Sequence, residues 1–340
     1  MRFALTAEQL DFAASLRKMC EAAKTPNTVR TWAAGDPAAG RALIRQLAEA
    51  GALGLTITED NGGFGAGPVE LVVAGTEIGR AAVPGPLVET AAVLPALLQA
   101  LPVTEQTGAW LGGFAEGATL GTIALPAPGT AAEPLAVDAD TADVVLVATG
   151  DRVSLATPQE HIRSVDAARR LFPVIEEAVL AEGDGVRAAI ATAFDAGALA
   201  TAAQLLGAGR ALLDTSVEYV KQRHQFGKPI GQYQAIKHHL ADVLIGLDMA
   251  QPLLFRAALS AQDGAATAAR DISAAKLAAG EAAYRAARTA LQVHGAIGYT
   301  AECDLSLWIT KVTALRSAWG TPDFHRARIA EALRSEGTAA

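Results

Sequence analysis

Between Tyr219 and Asp242 the chain reads YVKQRHQFGKPIGQYQAIKHHLAD, a stretch that forces one long helix to stop and another to start. Upstream of it Leu199, Ala203, Leu206, Leu213, Val217 and Val220 recur at helical spacing, an apolar stripe that needs other helices to cover it. Gly227 and Pro229 end that helix, because proline lacks the amide hydrogen and glycine favours the stop. A fresh apolar pattern begins at Ala235 and Ile236. At the corner stand Arg223, Gln225 and Phe226. A guanidinium grips phosphate oxygens with two parallel hydrogen bonds and an aromatic ring offers a flat face, so the corner suits a phosphorylated or planar ligand. Arg223 would equally complement the negative end of the helix dipole with no ligand present. The local chemistry leaves both readings open.

The remaining text sorts into three parts. Helical patterns run from Thr6 to Ala22, with Thr6 as N-cap, from Ala42 to Ala50 closed by Gly51, from Pro68 to Gly79 and from Val88 to Leu101. Thr25 to Pro37 is rich in turn residues and reads as a loop. Asp60 to Gly67 is a glycine-rich turn with no strand before it and no Lys-Ser/Thr after it, so its role is conformational. From Gly121 to about Gly183 the vocabulary changes to short apolar runs: GTIAL, ADVVLVATG, RVSLAT and PVIEEAVL. These read as strands. From Val186 the helical period returns, with helices from Tyr233 to Gln262, Ala265 to His294, Cys303 to Leu315 and Asp323 to Leu333. The expected fold is mainly α with a small β-domain: a helical domain over residues 1–119, a β-domain over 120–185 and a four-helix bundle over 186–340.

Composition narrows the function. A net charge of −8 provides no basic field for a nucleic-acid backbone. Cys20 and Cys303 form neither a disulfide framework nor a metal-ligand spacing and read as reduced thiols of a cytoplasmic protein. No signal peptide is evident, and the apolar runs read as too short or interrupted to span a bilayer. His224, His238, His239 and His294 fit no nucleophile–base arrangement and no metal site.

Two blocks carry a family resemblance. RHQFGKPIGQYQAIKHHLAD resembles the acyl-CoA dehydrogenase signature R-x-x-F-G-x-x-[IL]-x-x-x-Q, continuing to L-A-[DE], and QVHGAIGYTAE resembles the family's second block, Q-x-x-G-G-x-G-[YF]-x-x-E. The opening FALTAEQL and the turn before Pro68 are similar to the family's N-terminal domain. The resemblance implies FAD as cofactor, an acyl-CoA thioester as substrate and an electron-transfer flavoprotein or similar acceptor. It further implies that Arg223, Gln225, Phe226, Gln292, Gly295 and Ala296 reach the ADP half of a neighbouring chain's FAD, with Tyr233 and Gln234 towards its adenine. Ala296 replaces the family's second glycine.

Other family features are missing. ALPAPGTAAEP stands where the first flavin-ring signature is expected, and the second has no counterpart. The family's catalytic carboxylate, which takes a proton from the substrate α carbon, falls at one of two places. The first corresponds here to Trp319, whose indole N–H cannot accept a proton, and the second to Gly197, which has no side chain. Asp195, Glu302 and Asp323 are nearby acids that could substitute. The resemblance therefore implies a subunit without the base, paired in a heterotetramer with a second acyl-CoA dehydrogenase-like chain that carries the catalytic Glu. The alternatives are a flavin-free scaffold of the same fold and an active homo-oligomer with an unusual base.

Overall fold

The computed structural model describes residues 4–130, 133–300 and 302–338. Parts of three stretches quoted above, Phe3, Ala131 with Ala132, and Ala301, lie outside the described residues.

Helix α1 (Ala7–Ala22) begins with reciprocal capping: Gln9 N donates to Thr6 Oγ1 at 3.2 Å and Thr6 N donates to Gln9 Oε1 at 2.9 Å. The segment after it is not the expected loop. It forms α2 (Thr25–Ala33), with proline in its first turn and Val29 and Trp32 buried. Proline is tolerated there because a first-turn amide has no helical partner anyway, and the Trp32 core contact outweighs the turn-rich composition. Helices α3 (Ala38–Glu49) and α4 (Pro68–Arg80) follow as read. The stretch from Val88 to Leu101 is two pieces, a π-helical turn over Glu89–Val93 and α5 (Leu94–Gln99), and α6 (Glu105–Glu116) follows it.

The β-layer comprises β1 (Gly121–Ala124), β2 (Leu135–Val137), β3 (Val144–Thr149), β4 (Arg152–Pro158) and β5 (Leu171–Glu182). Among the described residues the strands order β1-β3-β4-β5-β2; β1 runs parallel to β3 and the other neighbours are antiparallel.

Helix α7 (Asp184–Gln222), 39 residues long, is the axis of the molecule. Its middle is buried along Ala198 to Gly209, and it packs on α4 so closely that a Cβ on Gly207 would lie 1.9 Å from the Thr76 carbonyl oxygen. Only glycine allows that approach. A short hairpin, β6 (His224–Gln225) and β7 (Lys228–Pro229), turns the chain into α8 (Gln234–Gln262), which is followed by α9 (Ala268–His294). Helices α10 (Leu305–Ser317) and α11 (Pro322–Thr338) close the bundle. The core that unites α7, α8, α9 and α10 is built from alanines with Leu205, Leu212, Leu247 and Val312. Alanine on facing helices brings their axes together. Contrary to the sequence reading, α7 and α8 are each long and apolar enough to cross a bilayer, but 78% and 44% of their most apolar windows are buried inside the fold.

Candidate functional site

The corner after α7 is a tight device. Arg223 leaves the helix in an extended conformation, and Phe226 (φ 53°) and Gly227 (φ 82°) form the two-residue turn that joins β6 to β7. Ile230 N donates to the Arg223 carbonyl at 2.8 Å and pins the base of the hairpin. The turn pushes the Phe226 ring outward, 91% exposed. The Tyr233 hydroxyl donates to the Gln225 carbonyl at 3.3 Å, and the Lys228 ammonium lies 4.3 Å from the Tyr233 ring centroid. Gln234 is exposed and pairs with His238 at 3.1 Å. The Arg223 guanidinium makes no hydrogen bond or ion pair among the described residues, including to the last carbonyls of α7. It is therefore available to a ligand.

At the same end of the bundle α9 finishes at Gly295, whose φ of 66° with ψ of −147° is accessible only to glycine. His294 stacks on Tyr219 with ring centroids 4.0 Å apart, which fastens the end of α9 beside the last turns of α7. Gln292, Gly295 and Ala296 are exposed there. The stack sets the turn at Gly295 and Ala296 at the same end of the bundle as the Arg223 corner, while Gln292 lies on the face of α9 opposite His294.

Trp319 and Gly197 meet across the bundle. A Cβ on Gly197 would lie 2.5 Å from Trp319 Cδ2, so the glycine is the space the indole occupies. Trp319 adopts a left-handed backbone (φ 54°) before Gly320 (φ 101°), and its ring meets Phe194 edge-on at 6.0 Å. Its Nε1–H donates to Glu89 Oε1 at 3.1 Å. Glu89 was missed by sequence reasoning. Burial pushes its carboxyl above the ordinary range, opposed by the Arg169 guanidinium and by the indole hydrogen bond. The available signal was one acid inside the apolar run VETAAVL. Glu89 and Trp319 line a cleft of about 610 Å³ between the sheet and the bundle, together with Leu125, Arg169, Phe194 and Phe324.

Two further buried groups hold the turn that carries Trp319. Lys276 Nζ donates to the Leu315 and Arg316 carbonyls at 3.1 and 3.2 Å, closing the C-terminus of α10, and burial pulls its ammonium down to about 7. His325 Nε2 lies 3.0 Å from the Trp319 carbonyl oxygen, and burial lowers its imidazole to about 4. Of the substitute acids, Asp195 is bound by Arg328, Asp323 by Arg326, and Glu302 is exposed with no ion pair among the described residues.

Residues 6–118 match the family model for the acyl-CoA dehydrogenase N-terminal domain and residues 183–334 the one for its C-terminal domain. Acyl-CoA dehydrogenase IpdE2 of Mycobacterium tuberculosis is 33% identical over 291 residues, covering 84% of this chain and 85% of the relative. The chain belongs to the acyl-CoA dehydrogenase family. Among solved structures, a variant of the Tcur3481–Tcur3483 steroid ACAD has a TM-score of 0.85 at 25% identity over 98% of this chain and 99% of that one. The ChsE4–ChsE5 complex from Mycobacterium tuberculosis shares the fold, with a TM-score of 0.82 at 23% identity over 98% and 99% of the two chains. Gly197 and Trp319, the two positions that the sequence resemblance matches to the family's base, are in contact here, with the indole over the glycine.

Proposed function

We propose that this chain is the subunit of a heteromeric, FAD-dependent acyl-CoA dehydrogenase that lacks the catalytic base and completes the cofactor site of a partner chain. The observation that carries the reading is the Gly197–Trp319 interlock, which fills both base positions with a group unable to accept a proton. The partner supplies the catalytic Glu and the flavin-ring site. The substrate is a CoA thioester, steroid-derived by the likeness to the steroid ACAD.

The residues fit half of the cofactor. Arg223 has an unengaged guanidinium for phosphate, Phe226 presents an open ring, and nothing lies within 4 Å of where a side chain on Gly295 would project. Arg223, Gln225, Phe226, Gln292, Gly295 and Ala296 would hold the ADP end, with Tyr233 and Gln234 beside it. FAD itself supplies the hydride acceptor when bound. The flavin-ring half lacks its signatures, and Trp319 stands where substrate would meet it. Assembly has a ready surface: Leu244, Ile245, Met249 and Leu253 leave an apolar strip of α8 exposed. The test is co-expression with the partner. The chain alone should be colourless and inactive and the complex yellow and active; a yellow, active chain alone would refute the assignment.

A second reading, an active homo-oligomer with an unusual base, has one observation in its favour. Glu89 places a buried carboxyl 3.1 Å from the indole that fills the base positions. Stoichiometric flavin and turnover in the isolated chain, both lost in Glu89→Gln, would establish it.

A further inference from the structure

Behind the Trp319 indole the fold closes over a second, smaller space. A cavity of about 20 Å³ lies between α7, α10 and the loop before β5, and Glu89, Arg169 and Trp319 line both it and the larger cleft. One water-sized guest needs about 10–15 Å³, so there is room for one small species. The polar lining is not satisfied by the protein itself. Thr201 is fully buried, and its Oγ1 has no hydrogen-bond partner among the described residues. The hydroxyls of Thr76 and Ser216, also on helices, donate to the carbonyl four residues back at 2.7 Å; that of Thr201 does not. Gln204, one turn further along the same face of α7, is 6% exposed, and its amide is likewise unbonded among the described residues. Buried groups of this kind are costly without a partner, so a guest that bonds to them is favoured.

Charge decides what the guest is. Lys311 reaches inward from α10, where its Nζ donates to the Val83 carbonyl at 2.7 Å and keeps two further N–H groups. Burial pulls its ammonium below the ordinary lysine value, a cost that an opposite charge beside it offsets. Arg169 lines the cavity with a guanidinium that has no hydrogen bond or ion pair among the described residues. The neighbouring acids do not cancel these cations. Burial raises the Glu89 carboxyl and favours its neutral form. Asp138 is held by Arg170, Asp166 accepts from the Ala168 amide at 3.0 Å, and neither lines the cavity. Two cations, a hydroxyl and an amide thus converge on a space for one small guest.

We propose that this cavity binds one small monoatomic anion, a halide such as chloride, held by Lys311, Arg169, Thr201 and Gln204. The ion pins the loop before β5 to α7 and α10 and so fastens the β-layer to the bundle behind Trp319. Its place is independent of the cofactor reading above, because none of the four side chains belongs to the Arg223 corner or to the Gly197–Trp319 interlock.

The experiment uses the full chain. Thermal unfolding is followed in chloride and in gluconate at matched ionic strength, so that screening is the same in both. Crystals are grown with bromide in place of chloride and read for its anomalous signal. The expected result is a Tm that rises with chloride and not with gluconate, as mass action requires for a ligand of the folded state, and a bromide peak between Lys311 and Arg169. Thr201→Val, which keeps the shape and removes the hydroxyl, should weaken chloride binding roughly tenfold, and Lys311→Met should abolish the chloride response. Should Lys311→Met fail to fold, Thr201→Val decides alone. In a dry or water-filled cavity, deleting an orphaned hydroxyl moves Tm equally in both salts, which would overturn the proposal. Equal Tm values for the parent in the two salts, or a cavity without a bromide peak, would overturn it as well.

Discussion

Trp319 and Glu89, 230 residues apart in sequence, are joined by a 3.1 Å hydrogen bond from the indole to a buried carboxyl. The contact ties the turn after α10 to the π-helical turn before α5, and it joins the Trp308–Arg80 and Lys311–Val83 hydrogen bonds among the polar links between the N-terminal helices and the bundle. A π turn inserts one extra residue per turn and re-aims the side chains it carries.

The first prediction concerns pH and Glu89. Its carboxyl is held above the ordinary range, so the folded chain keeps a proton that the unfolded chain releases. Stability from this group is therefore lost as pH rises through the folded value. Glu89→Gln, which keeps an acceptor for the indole, should gain in Tm over the parent as pH is raised from 5 to 9. A constant difference across that range would show that Glu89 stays ionised in the fold.

Gly197 and Trp319 should behave as a coupled pair. Gly197→Ala puts a Cβ into the indole and should destabilise by about 1–3 kcal/mol in spite of the better helix former. In a Trp319→Ala background the same change should be neutral or stabilising. A double-mutant cycle by urea denaturation measures the coupling, and additive effects would deny the interlock.

His325 gives an opposite acid limb. Its imidazole is lowered from 6.5 to about 4, so stability present above pH 6.5 is lost as pH falls towards 4. At about 1.4 kcal/mol per pH unit between the two values the full loss is about 3 kcal/mol. Asp138 works the other way, since burial raises its carboxyl to about 7 and its contribution is lost as pH climbs. Comparing Tm against pH for the parent and His325→Gln isolates the histidine; parallel curves would count against it.

For the cofactor corner, Arg223→Ala in the complex proposed above should weaken FAD retention by roughly ten- to a hundredfold, about 1.5–3 kcal/mol, without dissolving the complex. Arg223→Lys should recover part of that, keeping charge without the fork. Gln292→Ala should act in the same direction and more weakly. Flavin per heterodimer after gel filtration decides.

Much of this is legible in the sequence. The long helices announced themselves by period, and the corner by Arg223, Gln225 and Phe226, because those features are local. What was not legible is non-local. The α2 segment looked like a loop because its composition is turn-rich, and only the core around Trp32 makes it helical. The hairpin at Phe226–Gly227 needs positive φ at two residues, and phenylalanine gives no hint of that. Glu89 was hidden for a related reason: its partner is distant in the chain and its aim depends on the π turn.

The fit between Gly197 and Trp319 also governs how such a lineage can change. A carboxylate arriving at 197 alone collides with the indole, and one arriving at 319 alone faces a glycine and has lost the ring that filled the space. Either single change starts from a damaged fold, so an acid enters this spot only by way of a less stable intermediate.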